Sequence, residues 1–490
     1  MLLLGIDVGT SSVKVSVLDA GTMKWVASAQ YPDTEAPIIS LQQGWAEQDP
    51  EQWWGYVRQA IARLLQASVF DPLAIGAIGI AYQMHGLVAL SAKGVAVRNS
   101  IIWCDSRAVA VGEEAYQKMG GASVLPELLN APGNFTASKL GWVKKEEPDI
   151  YAKINKVMLP GDYIAYRLTG EITTTPSALS EGIFWDFQTN TLSEKVMQAF
   201  DFDAGLIPDI QPVFGTHGTL SAEISSMLGL RQGIPVTYKS GDQPNNALSL
   251  NVMRPGEVAA TAGTSGVIYG VADTPVYDPS CRVNSFAHVN HSPEKTSVGV
   301  LLCINGCGIM NKSMRMLTGA NQSYPSINQE AAGVKPGSNG LTILPFGNGA
   351  ERMLRNANPG AQVHGWDFNG HGTPHFYRAA QEGIAFAFRY GVDIMRENGM
   401  NPGLIRAGFA NMFLSEVFTS TLVNVLNIPV ELYDSDGSVG AALGAGLGAG
   451  CFQENDLHLA LTKRATIEPV ETATYEGFYQ RWLSLLEKSL

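Results

Sequence analysis

No run of eighteen apolar residues occurs anywhere in the 490 residues, so no membrane-spanning helix is expected. Basic residues are in deficit: 33 Lys and Arg stand against 45 Asp and Glu, a net charge of −12. That balance disfavours nucleic acid as a partner, but it does not exclude a nucleotide held by backbone N–H groups and a divalent cation. Cysteine is sparse. Cys104, Cys281, Cys303, Cys307 and Cys451 are odd in number and scattered, which fits reduced thiols in a cytosol. Cys303 and Cys307 lack zinc or redox spacing. The first residues run straight into a strand with no basic leader, so no signal peptide and a cytoplasmic location are expected. Two phosphate motifs are missing as well, GxxxxGK(S/T) and a strand–GxGxxG–helix unit.

What is present is a repeated turn. Leu2 to Leu18 reads LLLGIDVGTSSVKVSVL, strand, tight turn, strand, with Val13, Val15 and Val17 in period-2 alternation. Gly9, Thr10, Ser11 and Ser12 make a turn whose N–H and O–H groups suit an anion at close range. Asp7, just ahead, stands where a phosphate-bound Mg²⁺ is held directly or through water. A plain hairpin explains the first copy equally well. A second copy, VAATAGTSGVIYGV at 258–271, sets Gly263, Thr264 and Ser265 against Gly9, Thr10 and Ser11. Two such hairpins, one in each half, suggest two similar lobes closing on one nucleotide. The length also calls for two or more domains.

Along the chain, Asp49-Pro50 opens a helix with Trp54, Val57, Ile61 and Leu64 on one face. The strand Ala74 to Ile80 runs into Tyr82-Gln83-Met84-His85-Gly86. There His85 either donates to a sugar hydroxyl or serves the structure, and Met84 packs on a carbon face. Ile101 to Arg107 ends similarly: Trp103 offers a ring face and Asp105 an acceptor for two hydroxyls, or Asp105 pairs with Arg107 on a surface loop. Pro235 to Tyr238 is a short strand leading through Ser240-Gly241 to Asp242, with a helix from about Asn245. Asp242 is a base for an attacking alcohol or a helix N-cap, and as a cap the helix dipole would lower its pKa. Later come a long helix at Tyr377 to Glu397, IRAGFAN at 405–411, and a Gly/Ala-rich helix at 437–450 suited to close packing. Strands and helices interleave through both halves, which favours two α/β lobes.

Together these stretches resemble the FGGY family of carbohydrate kinases. The resemblance rests on GIDVGTSSVK (5–14), GWAEQDPEQWW (44–54), QMHG (83–86), IIWCDSR (101–107), GDQPNNA (241–247) and TAGTSG (261–266), in order along nearly the whole chain. It implies an α/β fold of two actin-like, ribonuclease-H-type lobes around a deep cleft, residues 1–244 on the sugar side and 245–490 on the nucleotide side. It implies transfer of the ATP γ-phosphate, with Mg²⁺, to a sugar hydroxyl. QMHG with IIWCDSR is most like members acting on the 5-hydroxyl of D-xylulose. A kinase for ribulose, fuculose, rhamnulose or glycerol, or a non-catalytic sensing relative, stands as the alternative. Asp242 matches the catalytic base, Met84 and His85 the sugar pair, and Asp7 the acid near metal and phosphates. Thr10, Ser11, Ser12, Gly263, Thr264 and Ser265 fall on phosphate hairpins, and Gly408 and Asn411 near the nucleotide. Sugar and ATP are the implied partners, with neither nucleic acid nor membrane, and a homodimer is the implied assembly. The chain departs from the family at Arg406-Ala407-Gly408, where glycines are usual. Side chains there are expected to narrow the nucleotide's approach. The loop Gly349 to Met353 and Gln243-Pro244 also depart from the usual pattern.

Overall fold

Alternating valines build the first strands. β1 (Leu2–Val8) and β2 (Val13–Asp19) form an antiparallel hairpin, and β3 (Lys24–Tyr31) pairs with β2. Val13, Val15 and Val17 are fully buried, as the period-2 pattern requires. The architecture comes from a computed structural model, which describes residues 1–319 and 321–490. Helix α1 (Pro50–Gln66) starts at Asp49, whose carboxylate accepts the Glu51 N–H at 2.9 Å. Its apolar face, Trp53, Trp54, Val57, Ile61 and Leu64, packs beneath the sheet. β4 (Ile75–Tyr82) runs parallel to β1, and β5 (Val236–Gly241) parallel to β4, giving the order β5-β4-β1-β2-β3.

A largely helical insertion between β4 and β5 includes α2 (Pro160–Thr169) and α3 (Pro176–Glu181). Lys239 of β5 is fully buried and ties this insertion down, donating to Asp162 of α2 and to the Thr173 carbonyl, each at 2.7 Å. A buried lysine persists only with such partners.

The second half repeats the plan. After α4 (Asp242–Ser249) come β6 (Glu257–Ala262), β7 (Gly266–Ala272), β8 (Asn284–Ala287), β9 (Val298–Ile304) and α5 (Gly308–Thr318). Then follow α6 (Thr373–Glu397), β10 (Leu404–Gly408), α7 (Glu416–Leu426), β11 (Val430–Asp434), α8 (Gly437–Gly448) and β12 (Thr462–Ile467). The sheet order is β8-β9-β7-β6-β10-β11-β12. Its centre, β9-β7-β6-β10-β11, repeats β3-β2-β1-β4-β5, with antiparallel pairing on one side and parallel on the other. The two actin-like α/β lobes expected from the repeated hairpin are there.

Helix α8, from the second half, lies on the first lobe's sheet: Ala442, Leu443 and Ala445 share a buried cluster with Leu3, Ala77 and Tyr238. Helix α4 lies at the junction: Ala247, with Leu250 just past the helix end, packs on Ala259, Tyr269 and Leu301 of the second sheet, while Leu248 joins the first lobe's cluster. The boundary expected at 244/245 falls inside this helix. A side chain at Gly5 would strike the backbone of Ser438, and one at Gly79 the backbone of Ala441. The Gly/Ala-rich helix is thus read correctly as a close-packing element, but its partner is the opposite lobe.

The edge strand β8 is a second tie. Asn130 exchanges two hydrogen bonds with the Ser285 backbone, and Ser177 and Ser180 of α3 bond the Ala287 carbonyl and N–H at 2.9 and 2.8 Å.

Gly5→Ala is expected to cost about 2–3 kcal/mol, since neither backbone can yield to the added methyl. Gly55→Ala, on α1 with open space around it, is expected to gain roughly 0.5–1 kcal/mol. Urea unfolding of the two variants checks both signs.

Candidate active site

Parallel register brings three strand ends to one rim. Asp7 of β1 lies opposite Ala81 of β4, and Tyr82 of β4 opposite Gly241 of β5. Asp7, the Met84-His85 pair and Asp242 therefore emerge side by side at the carboxyl ends of adjacent strands, the usual crevice of α/β sheets. Helix α4 begins at Asp242, with Gly241 as its N-cap, so Asp242 is the first helical residue and not the cap. The expected lowering of its pKa is also overturned. Burial pushes Asp242 up to about 6, against hydrogen bonds from Gln243. Burial, then the charges of Asp242 and Asp436, pushes Asp7 up to about 7 against the pull of Lys14.

Asp436 is a site residue that sequence reasoning missed. It caps α8 through the Ser438 N–H at 2.9 Å and pairs with Lys14. Those hydrogen bonds outweigh its burial and hold its carboxyl below the ordinary value. The internal repeat carries the signal, because β11–α8 is the counterpart of the β5–α4 junction that bears Asp242. Gly437 lies directly on the Asp7 carboxylate, which accepts no hydrogen bond among the described residues.

On the sugar side, His85 adopts a left-handed backbone, φ +63°, and its Nδ1 faces the Glu181 carbonyl at 3.0 Å. Facing a carbonyl, Nδ1 carries the proton, and Nε2 is left as an acceptor. The expectation that His85 donates to a hydroxyl is thereby reversed. Burial and the positive charge of Lys139 push His85 down to about 3, so the ring stays neutral. Its faces meet Phe135 at 4.7 Å and Phe286 of β8 at 5.2 Å, one ring from each lobe. Met84 is buried beside Gly241. Glu181 is also buried there, with the Tyr82 hydroxyl as its neighbour, and burial raises its pKa.

Asp105 is buried with its carboxylate occupied within the protein, so of the two expectations it is the pair with Arg107 that the structure shows. Its carboxylate accepts from the Ala46 N–H at 2.6 Å and from Arg107 at 2.7–3.1 Å, and both residues are buried, not at the surface. Arg107 in turn stacks 3.8 Å over Trp45 and pairs with Glu47 at 2.6 Å. This network anchors the loop from which half-exposed Trp103 projects. Trp103 Nε1 donates to the Thr10 hydroxyl at 2.9 Å, and Thr10 donates to Gln83 at 3.1 Å. Thr10 thus spends its one O–H inside the protein and offers none to a phosphate. Ser11 and Ser12 remain at the turn, closed by Gly9 N–H to the Ser12 carbonyl at 3.0 Å.

In the second lobe a cavity of about 760 Å³ is lined by Gly263 and Thr264 at one end, Asn411 and Met412 at another, and Tyr324, Asn328 and Gln329 along its wall. Ser265 lies next in the hairpin but not on the cavity wall, and Gly408 ends β10 beside Ser435, also off the wall. Arg406 does not narrow the cavity. It turns to the other face of β10, donating to the Asn251 carbonyl at 2.5 Å and pairing with Glu257 and Glu431, while Ala407 is core. All five cysteines are free.

Residues 2–249 match the FGGY family of carbohydrate kinases, N-terminal domain, and residues 258–449 its C-terminal domain. The xylulose kinase of Escherichia coli (strain K12) is 31% identical, over 90% of this chain and 88% of its own. That of Haemophilus influenzae is 28% identical over 99% of both chains. The crystal structure of xylulose kinase from Rhodospirillum rubrum superposes with a TM-score of 0.88 at 25% identity, covering 100% of this chain and 99% of that one.

Asp7→Asn is expected to stabilise the unliganded protein at pH 8, by up to about 4 kcal/mol. A carboxyl held near 7 when folded and 3.8 when unfolded penalises the fold only where it is ionised, so the gain should shrink as pH falls from 7 towards 4. Denaturant melts at pH 8 and pH 4 test the sign.

Proposed function

The chain belongs to the FGGY family of carbohydrate kinases, and on that premise we propose that it transfers the ATP γ-phosphate to the 5-hydroxyl of D-xylulose. One observation carries the chemistry. Asp242, a desolvated carboxylate, opens α4 at the end of β5, beside the β4 end that carries the Met84-His85 pair. A carboxyl raised to about 6 is a better base than an ordinary aspartate and still ionised at neutral pH.

In this reading the sugar lies against Met84, His85 Nε2 and the Trp103 face. Its 5-hydroxyl proton passes to Asp242 as the oxygen forms its bond to the γ-phosphorus, and the bond to the β-phosphate oxygen breaks to leave ADP. The adenosine end takes the cavity by Asn411 and Met412, and the phosphates run towards Gly263-Thr264 and Gly9 to Ser12. Backbone N–H groups at both turns supply donors without a P-loop. Asp7, with no donor on its carboxylate and two acidic neighbours, fits a divalent cation, and Mg²⁺ there would neutralise phosphate charge. The non-catalytic reading rested on Arg406-Ala407, and that pair leaves the cavity open.

An ADP-release assay with Mg-ATP over D-xylulose, D- and L-ribulose, L-fuculose, L-rhamnulose and glycerol tests the proposal. D-Xylulose is expected to lead in kcat/KM, with Asp242→Ala lowering kcat by roughly 10²–10⁴. Preference for another sugar in the panel would move the substrate and keep the base; full activity in the variant would remove Asp242 from the chemistry. The pH profile adds a second check. kcat/KM should fall about tenfold per unit below pH 6, as Asp242 takes up its proton.

A further inference from the structure

Arg352 sits on the second lobe, in the loop after the strand Thr342–Phe346, with its guanidinium 5.9 Å from the Phe135 ring of the first lobe. That ring is the one that meets His85 edge-on. The guanidinium has no hydrogen-bond or ion-pair partner among the described residues, and burial lowers its pKa. Its neighbour Glu351 does not serve it, because that carboxylate accepts the Asn305 and Gly306 N–H groups at 3.1 and 3.2 Å. The ionisable groups closest in effect are the thiols of Cys303 and Cys281. Arg352 is only partly buried, and with no protein acceptor its donors are left to water, which a ligand bringing oxygen acceptors can displace.

The hydrogen-bonding roles around it narrow that ligand. Asp242 and His85 Nε2 are acceptors, suited to hydroxyl protons. Trp103 Nε1 is already spent on Thr10, and Lys139, fully buried, donates to the His85 carbonyl at 2.6 Å. A ketone oxygen accepts and cannot donate, whereas a guanidinium donates and cannot accept. Arg352 is also absent from the wall of the nucleotide cavity, and it stands at the sugar end of the cleft. We infer that Arg352 is a specificity-determining residue that donates to the C2 carbonyl oxygen of the open-chain ketose and so separates ketoses from alditols. This rests on the ketopentose reading above and deepens it.

The test is calorimetric binding of D-xylulose and of xylitol, which differ at C2 in carbonyl against hydroxyl. Wild type, Arg352→Met and Arg352→Lys are compared. Methionine keeps an aliphatic stem over Phe135, and unchanged Mg-ATP binding by each variant establishes that it is folded. Arg352→Met is expected to weaken D-xylulose binding roughly 10- to 100-fold, the usual worth of a hydrogen bond from a charged donor. Xylitol binding should change less than about threefold, and Arg352→Lys should fall between. Equal losses for the two ligands, a loss of kcat with binding intact, or no change would each overturn the assignment. If wild type instead binds Mg-ATP and a different sugar, the ketopentose reading itself has failed, and the variants are not needed to show it.

Discussion

The close approach of α8 to β1, β4 and β5 is the constraint on which the rest depends. Backbone meets sheet where Gly5 and Gly79 leave room, so the second lobe's last helix is seated within the first lobe's core. The same approach puts Gly437 on the Asp7 carboxylate and Asp436 beside Lys14 of β2. Packing and electrostatics are therefore one feature here. A looser helix would move Asp436 away, relax Asp7 and open the rim where the phosphates are proposed to pass.

Charge is then distributed with little slack. Burial, and then the charges of Asp242 and Asp436 on the same rim, drive Asp7 upward, while Lys14 pulls the other way. Across the cleft, Arg352 has no ion-pair partner among the described residues.

Much of this was legible in the residues. The two Gly-Thr-Ser hairpins announced the duplicated lobes, and the alternating valines and the Asp49-Pro50 start signal placed β2 and α1. Asp242 and the Met84-His85 pair stood out as polar residues at strand ends, and the structure puts them on neighbouring strands. What failed depended on partners distant in sequence. The pairing of Asp105 with Arg107 was one of two readings, but its burial was not legible because Ala46 lies 59 residues away. Thr10 looked free because Trp103 is 93 residues away. His85 appeared as a donor because nothing local shows Glu181 fixing its tautomer. Arg406 looked obstructive since which face of β10 it takes is set by Glu257 and Glu431 on the flanking strands. Asp436 was the one miss that the sequence repeat itself could have supplied.

The seating of α8 has a consequence for how this chain can be divided. The second half carries a helix whose apolar face, Ala442, Leu443 and Ala445, belongs to the first half's sheet. Cut between the halves, the first fragment would present a bare sheet face and the second a sticky helix. Those surfaces are complementary, so the fragments are suited to reassemble with each other rather than to fold alone. The duplication that looks like two domains joined end to end behaves, mechanically, as a clasp that closes only when both parts are present.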